Sequence, residues 1–367
     1  SPQAYIGQHF PASDIPRQAR ILYQSNRIRV IPDTHYTAVP IHADTRADAS
    51  PLDLSHSLLR SVSPVHLEYL HNMGVGATIA LSILDEAANL WGMLVCHNAA
   101  PCHVPPTVRR FCSLAVETAA SRLHLMERNR QDEANNHSLA EVNRLFAALP
   151  QADDLPTYLN QYVDPILDLF DAHSLVLCLH GQCHFLGHAL PPPGVVEGLK
   201  AASRGTALFH SQAVGDLPEL AETDPGWVAG ALSIPLSDRS EDYLLLLREE
   251  KIATIDWAGN PNKAVTMHPD TDRLSPRKSF ETWKEEVRGK SAAWAEHHEV
   301  AARRVGQLVG LYQGYQVRQA RELERELQHQ AHHDHLTGLP NRTLLLDRLE
   351  HALKRGQRHG HALGLLF

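Results

Sequence analysis

The chain has 367 residues, 43% of them hydrophobic and 21% charged, a globular composition with length enough for two or three cores. Its 34 basic and 42 acidic side chains leave a net charge of -8, which argues against broad nucleic-acid binding. No apolar run is long enough to span a bilayer and no charged-then-apolar leader opens the chain.

The first segment, SPQAYIGQHF, lacks Met and reads as the interior of something longer. PASDIPRQARILY follows at 11–23. Pro11 and Pro16 fix their own φ and restrict the residues before them, so a stiff, extended turn is expected around Asp14 and Ile15. Asp14 is either an ordinary helix cap or a carboxylate held for another purpose. Residues 1 to about 105 then alternate strand-like runs (ATIALSIL, LWGMLVCH) with turns and one helix around PVHLEYLHNMG. That is an α+β pattern with an antiparallel sheet. A long helix is predicted from Pro106 to about Ala148, with Val108, Phe111, Ala115, Thr118 and Leu125 on one face.

A second mixed region follows. It has a helix over DLPTYLNQYVDPILDLF, strands over HSLVLCLH, ALSIPLS, DYLLLLREE and KIATIDWAG, and a polar excursion from NPNKAV to KEEVRG. A second long helix is predicted from about Trp294 to His333. Along it Val305, Leu308, Tyr312 and Tyr315 keep 3-4-3 spacing. Ala320, Leu323, Leu327 and Ala331 resume that spacing about one residue out of phase, as in a coiled coil with a local break. Gly306, Gly310 and Gly314 lower helix propensity there. The segment reads as a linker with two near-equal packings, or as an inert spacer; throwing such a switch takes about 5 kcal/mol.

Five cysteines (Cys96, Cys102, Cys112, Cys178, Cys183) are odd in number and show no paired framework, which favours a reducing cytoplasm. The histidine clusters HHEV at 297–300 and HHDH at 332–335 lie in polar helical sequence and read as solvated. HGQCHFLGH at 180–188 reads as a hairpin, so no metal site is assigned. Walker loops, dinucleotide fingerprints, nucleophile elbows and HExxH helices are all absent from the sequence.

Chemistry concentrates in the first module. Arg29, Arg60, His66 and His97 supply polar groups, and Phe10, Tyr23, Tyr69 and Met73 supply aromatic and apolar walls. The set suits a large conjugated ligand with carboxylates: arginine forks bind carboxylates, apolar walls bury rings, and imidazole titrates near neutrality. Each residue also has a plain structural alternative: His66 as an interior histidine, Arg29 as a surface charge, Tyr69 as core.

The strings PASDIP, DLSHSLLRSVSPVHLEYLHNMGV and LWGMLVCH closely resemble the GAF domain of bacteriophytochromes, red/far-red photoreceptors that bind the linear tetrapyrrole biliverdin. LLLLREE, DWAGNP, LSPRKSF and FETWKEEVRG resemble the PHY domain and its tongue, and the resemblance covers about residues 1–310. It implies α+β GAF and PHY domains, each an antiparallel sheet with flanking helices, joined by long helices: GAF over 1–125, lacking its N-terminal part, and PHY over 126–310 with a tongue at about 250–292. By the same resemblance Asp14, with Ile15 and Pro16 in its motif, lies beside the pyrrole nitrogens and pairs with Arg277, while Ser279 is a tongue contact that changes partner after light. Arg29, Arg60 and Tyr23 hold one propionate, and His66 with Ser63 serves the other. His97 bonds the D-ring carbonyl, walled by Tyr69 and Phe10, and Thr78 lines the propionate. Ala80 stands where the family often has a serine, which weakens that contact. Val65 and Leu67 flank His66, so the attachment cysteine of plant-type phytochromes is missing. The cysteine that bacteriophytochromes use belongs to an N-terminal PAS domain that this chain does not contain.

DHLTGLPNR at 334–342 resembles the opening of GGDEF diguanylate cyclases, with Asp334, Asn341 and Arg342 holding the turn after the 311–333 linker helix. The segment 334–367 stops before that family's metal and guanine sites, so GTP and Mg belong to a complete parent protein. The expectation is a biliverdin sensor controlling a cyclase, in a cytoplasmic parallel homodimer without nucleic-acid or membrane partners. The alternatives are a cyclase with a degenerate sensor, a phytochrome with histidine kinase output, and a GAF sensor without bilin.

Overall fold

The computed structural model describes residues 6–41, 52–58, 60–236, 242–260, 265–267, 274–276, 282–335, 337–359 and 364. The chain divides into two compact units. One comprises Ser1–His137, Gln212–Gly230 and Glu249–His297, the other Ser138–Ser211, Ala231–Arg248 and His298–Phe367.

In the first unit, α1 (Arg17–Ser25) leads to β1 (Ile28–Ile31), then α2 (Pro64–Asn72), β2 (Ala77–Leu84), β3 (Leu90–Asn98) and the start of α3 (Pro106–Leu145). The three strands form one antiparallel sheet in the order β1-β2-β3. Side chains alternate across a pleated strand, and one face, with Ile28, Val30, Ile79, Leu81 and Ile83, packs under Val116 and Cys112 of α3. Gly76 lets the chain pass close beneath the end of β3: a Cβ there would lie 2.5 Å from the Ala99 carbonyl oxygen. The helical face expected from Val108, Phe111 and Leu125 is exposed instead, and Val116 and Ala120 are the buried positions. Apolar spacing located that stripe but could not say which stripe meets the sheet.

Also in this unit, β9 (Ala253–Ala258) pairs antiparallel with β12 (Thr282–Val287), and β10 (Val265–Met267) with β11 (Leu274–Pro276). The backbone of β11 lies beside α2.

The second unit is built on a five-stranded sheet in the order β5-β4-β8-β7-β6, with β4 Ser174–Leu179, β5 Gln182–Gly187, β6 Phe209–Ser211, β7 Val228–Pro235 and β8 Tyr243–Glu249. Its central strands SLVLCL and YLLLLRE are buried almost throughout, so their apolar runs do not alternate. The helix predicted over DLPTYLNQYVDPILDLF is two helices, α4 (Leu155–Gln161) and α5 (Val163–Phe170). Pro165, in the first turn of α5, brings no N–H for the Gln161 carbonyl, so one continuous helix breaks ahead of it, at Tyr162. A short α6 (Val195–Ala202) follows β5.

The long α7 (Glu296–His332) buries Ala301, Ala302, Val305, Val309 and Tyr312 in this unit. Gly306 has a packing reason: a Cβ there would come within 3.2 Å of the Ile234 side chain. Val305 and Tyr312, read from spacing as part of an intermolecular seam, are thus consumed inside the chain. The phase break falls where α7 leaves the core. Arg248, buried at the end of β8, donates to the Phe170 carbonyl and faces the His298 ring. It joins α5, β8 and α7.

The cysteine reading needs correction. Cys178 and Cys183 face each other across the β4–β5 hairpin and form a disulfide, with Cα atoms 4.1 Å apart. Cys96, Cys102 and Cys112 are free.

Candidate functional site

Strand register gathers the polar candidates. Arg29 lies opposite Ala80, Ile31 opposite Thr78, and Thr78 opposite His97. All five therefore share the sheet face turned away from α3. Thr78 Oγ1 is buried and has no hydrogen-bond partner among the described residues; such an orphan costs stability unless a ligand or water meets it. Cys96, opposite Ile79, falls on the other face and is exposed.

Over this face lie α1 and α2. Ser82 Oγ donates to the Tyr23 carbonyl at 2.7 Å and ties α1 to the sheet. The Tyr23 phenol is pushed up in pKa by burial, opposed by Arg29 and Arg60. Arg29 donates to the carbonyls of Leu58 and Arg60 (3.2 and 2.6 Å), and Arg60 donates to that of Ser55. Burial first, and the Arg60 charge second, depress the Arg29 pKa. The Arg60 charge acts on Arg29 near Tyr23, and an anion bound between the two like charges would relieve that repulsion.

On α2, Ser63 occupies the N-cap position without a side-chain capping bond. One turn on, the His66 and Tyr69 rings lie nearly parallel, 6.3 Å apart. The Tyr69 hydroxyl donates to Asp14 Oδ2 at 3.1 Å. Burial, then Arg29, then His97 lower the His66 pKa, and partial burial lowers that of His97, whose side chain keeps an exposed surface. Both imidazoles are thereby biased to the neutral form, each with one donor and one acceptor nitrogen.

Asp14 is no helix cap. The N-cap of α1 is Pro16, which has no capping bond. Nor is the whole turn extended: Ala12–Asp14 form a 3₁₀ turn, with the Asp14 N–H donating to the Pro11 carbonyl at 3.0 Å, and only Ile15 is drawn out before Pro16. Proline restricts the residue immediately before it and leaves Asp14, two positions back, free to turn. Phe10, Ile15 and Pro16 are exposed. Met73 packs on the Ile31, Leu70 and Val75 cluster rather than standing clear as a wall. Arg277 and Ser279 lie outside the described residues.

Comparison with known proteins now bears on this geometry. The "Phytochrome region" model matches residues 138–315, and the GAF domain model matches 4–123. The chain is a phytochrome GAF–PHY module running into the start of a GGDEF domain. The "Diguanylate cyclase, GGDEF domain" model matches 331–367. A bacteriophytochrome of Xanthomonas campestris pv. campestris is 36% identical over 84% of this chain and 50% of its own length. Cyanobacterial phytochrome B of Nostoc is 34% identical over 82% of this chain and 40% of its own. Among solved structures, bacteriophytochrome RpBphP3 of R. palustris superposes with a TM-score of 0.73 at 34% identity, covering 84% of this chain and 62% of that one. The Stigmatella aurantiaca phytochrome photosensory core module gives 0.68 at 35%, covering 84% and 61%. The chain thus spans about half or less of the curated relatives' length.

In this phytochrome module, sequence reasoning missed several residues that shape the site. The Tyr36 hydroxyl accepts from the Val62 N–H at 2.7 Å, and Asn26 Nδ2 donates to the Ser55 carbonyl at 2.7 Å. Both fix the segment that carries Arg60, through main-chain partners that no spacing rule exposes. At the other end, Asn341 caps α8 (Arg342–His359) by accepting from the Leu344 N–H, and its Nδ2 reaches back to the Ala331 carbonyl. Asp334 closes the turn by accepting from the N–H and hydroxyl of Thr337, and Arg342 opens α8 as an exposed residue. No group of three or more potential metal ligands occurs among the described residues. No described helix is long and apolar enough to cross a membrane.

Proposed function

We propose that the first unit binds biliverdin on the sheet face carrying Arg29, Thr78 and His97, and that the chain is the sensory part of a cytoplasmic red/far-red photoreceptor. Its output is a diguanylate cyclase in the complete protein, where GTP and Mg belong. The observation that carries the reading is the convergence of two electrostatically coupled arginines, an orphaned buried hydroxyl and two neutral-biased imidazoles on one side of one sheet. That donor set fits an elongated, mostly apolar molecule bearing two carboxylates.

Bound there, the bilin supplies visible-light absorption and a double bond that isomerises. The chain's own groups do the rest. Arg29, Arg60 and Tyr23 hold one carboxylate, and Thr78, Ser63 and His66 the other. His97 presents a ring nitrogen to a ligand carbonyl. Asp14, held by Tyr69, offers its acceptor oxygens to ligand N–H groups, with Arg277 and Ser279 as the tongue contacts. None of the five cysteines is assigned as an attachment point.

Biliverdin added to the chain, joined to its native upstream segment, should give a red-minus-far-red difference spectrum that reverses with illumination. Binding without photoconversion would leave a bilin site and remove the photoswitch. No binding would leave the degenerate-sensor alternative.

A further inference from the structure

The segment ahead of Asp14 is stitched to the β9–β12 ribbon. His9 makes both bonds of a parallel bridge with Trp257: its N–H donates to the Asp256 carbonyl at 2.7 Å, and its carbonyl accepts from the Ala258 N–H at 2.9 Å. Beside it, Gln8 Nε2 donates to Thr282 Oγ1 at 3.0 Å, and Thr282 lies opposite Ala258 in the ribbon register. The His9 ring meets the Trp257 ring edge-on at 5.8 Å, and Trp257 Nε1–H donates to Glu285 at 2.6 Å. His9 therefore adds a one-residue parallel bridge to β9, and Gln8 adds a side-chain tie to β12. An isolated two-stranded ribbon is marginal in water, so these added bonds matter to both partners.

Between His9 and Asp14 the chain has little slack. Pro11 is buried, the Asp14 N–H closes onto the Pro11 carbonyl at 3.0 Å, and Pro16 follows at once. The fixed φ of Pro11 and the closed 3₁₀ turn make the five-residue step a stiff lever, and Pro16 restrains the chain just past it. The Asp14 carboxylate at its far end accepts from Tyr69.

We propose that His9 is a positioning residue for Asp14. Its main-chain bridge to β9 sets where the Asp14 turn sits, and displacement passes between ribbon and ligand site along the backbone. This link is separate from the side-chain contact assigned to Arg277. Its spectral consequence rests on the chromophore reading above. Coupling of this kind is reciprocal, so the ribbon must also sense changes at Asp14.

The test uses His9→Pro, which deletes the donating N–H, and His9→Ala, which keeps it and loses only the ring. Hydrogen exchange is followed in peptides covering 253–258. His9→Pro should speed exchange there roughly tenfold, about the worth of one lost hydrogen bond, while His9→Ala stays close to the parent. With biliverdin bound, His9→Pro should move the red absorption maximum and His9→Ala should leave it in place. Parent-like exchange and spectrum in His9→Pro, or identical behaviour of the two variants, overturns the proposal. Tyr69→Phe, which loosens Asp14 from the ligand side, should also speed exchange at 253–258; an unchanged rate overturns the proposal even if His9→Pro fails to fold. If the parent chain takes up no biliverdin, the chromophore reading fails, and the exchange experiments still decide the coupling.

Discussion

Burial and the neighbouring Arg29 both disfavour a proton on His66, so its imidazole titrates below the 6.5 of a free histidine. Between that lowered value and 6.5 the unfolded chain binds more protons than the folded one, and stability rises with pH across the window. The contribution is whole above 6.5 and is lost as pH falls through the folded value; His97 acts in the same direction. His66→Gln removes one of the two contributions. We expect the urea midpoint of the ligand-free protein to fall between about pH 7.5 and pH 5.5, and to fall less steeply in His66→Gln. Equal slopes would show that the His66 ring is protonated in place at no cost. The same neutrality suits a ligand-facing role, because a neutral imidazole offers one donor and one acceptor where imidazolium offers two donors.

Among the elements, the β4–β5 hairpin offers the most direct check. His180 and Gly181 both have positive φ (51° and 81°), as a two-residue type I′ turn requires. That turn sets Leu179 against Gln182 and Cys178 against Cys183. Alkylation of denatured, unreduced protein should therefore label Cys96, Cys102 and Cys112 and spare the other two, with all five labelled after reduction. Five labels without reduction would mean that Cys178 and Cys183 are not joined in the folded protein. Much of this hairpin was legible in the sequence: HGQCHFLGH announced the turn, and only its register, which pairs the cysteines, was left unread. The same limit recurs elsewhere. A strand-like run between turns revealed β2, but only strand pairing shows that Arg29, Thr78 and His97 share a face. Spacing revealed α3, but not that Val116 rather than Phe111 meets the sheet. PASDIP advertised a rigid aspartate, whereas the bridge from His9 to Trp257 depends on main-chain atoms any residue could supply. Local chemistry is written in residue identity; pairing and facing are settled by tertiary contact.

For the molecule as a whole, what matters is what the long helices leave unsatisfied. On α3, Val108, Phe111, Leu114, Leu125 and Met126 are exposed, and on α7 so are Val317, Leu323 and Leu327. Beyond Tyr312 no residue of α7 is buried, and an isolated helical stretch of that length is marginal in water without a packed face. A second copy, parallel and in register, would bury Leu323 and Leu327 against their equivalents as a coiled coil does. Val305 is different, since its own chain already buries it completely. Single cysteines placed at 323, 327 and 305, in a background with Cys96, Cys102 and Cys112 replaced by serine, separate the two cases. Oxidation should crosslink the 323 and 327 variants into dimers and leave the 305 variant monomeric. A crosslink at 305 would restore the original seam and mean that α7 peels off its own sheet. Absence of crosslinks at 323 and 327 would remove the parallel dimer. If the linker is a switch with two packings, light on the biliverdin-loaded protein should redistribute crosslinking between 323 and 327, because moving the equilibrium from mostly one packing to mostly the other takes about 5 kcal/mol of differential interaction. A pattern identical in dark and light would make α7 a rigid spacer, with any signal to α8 carried by another route.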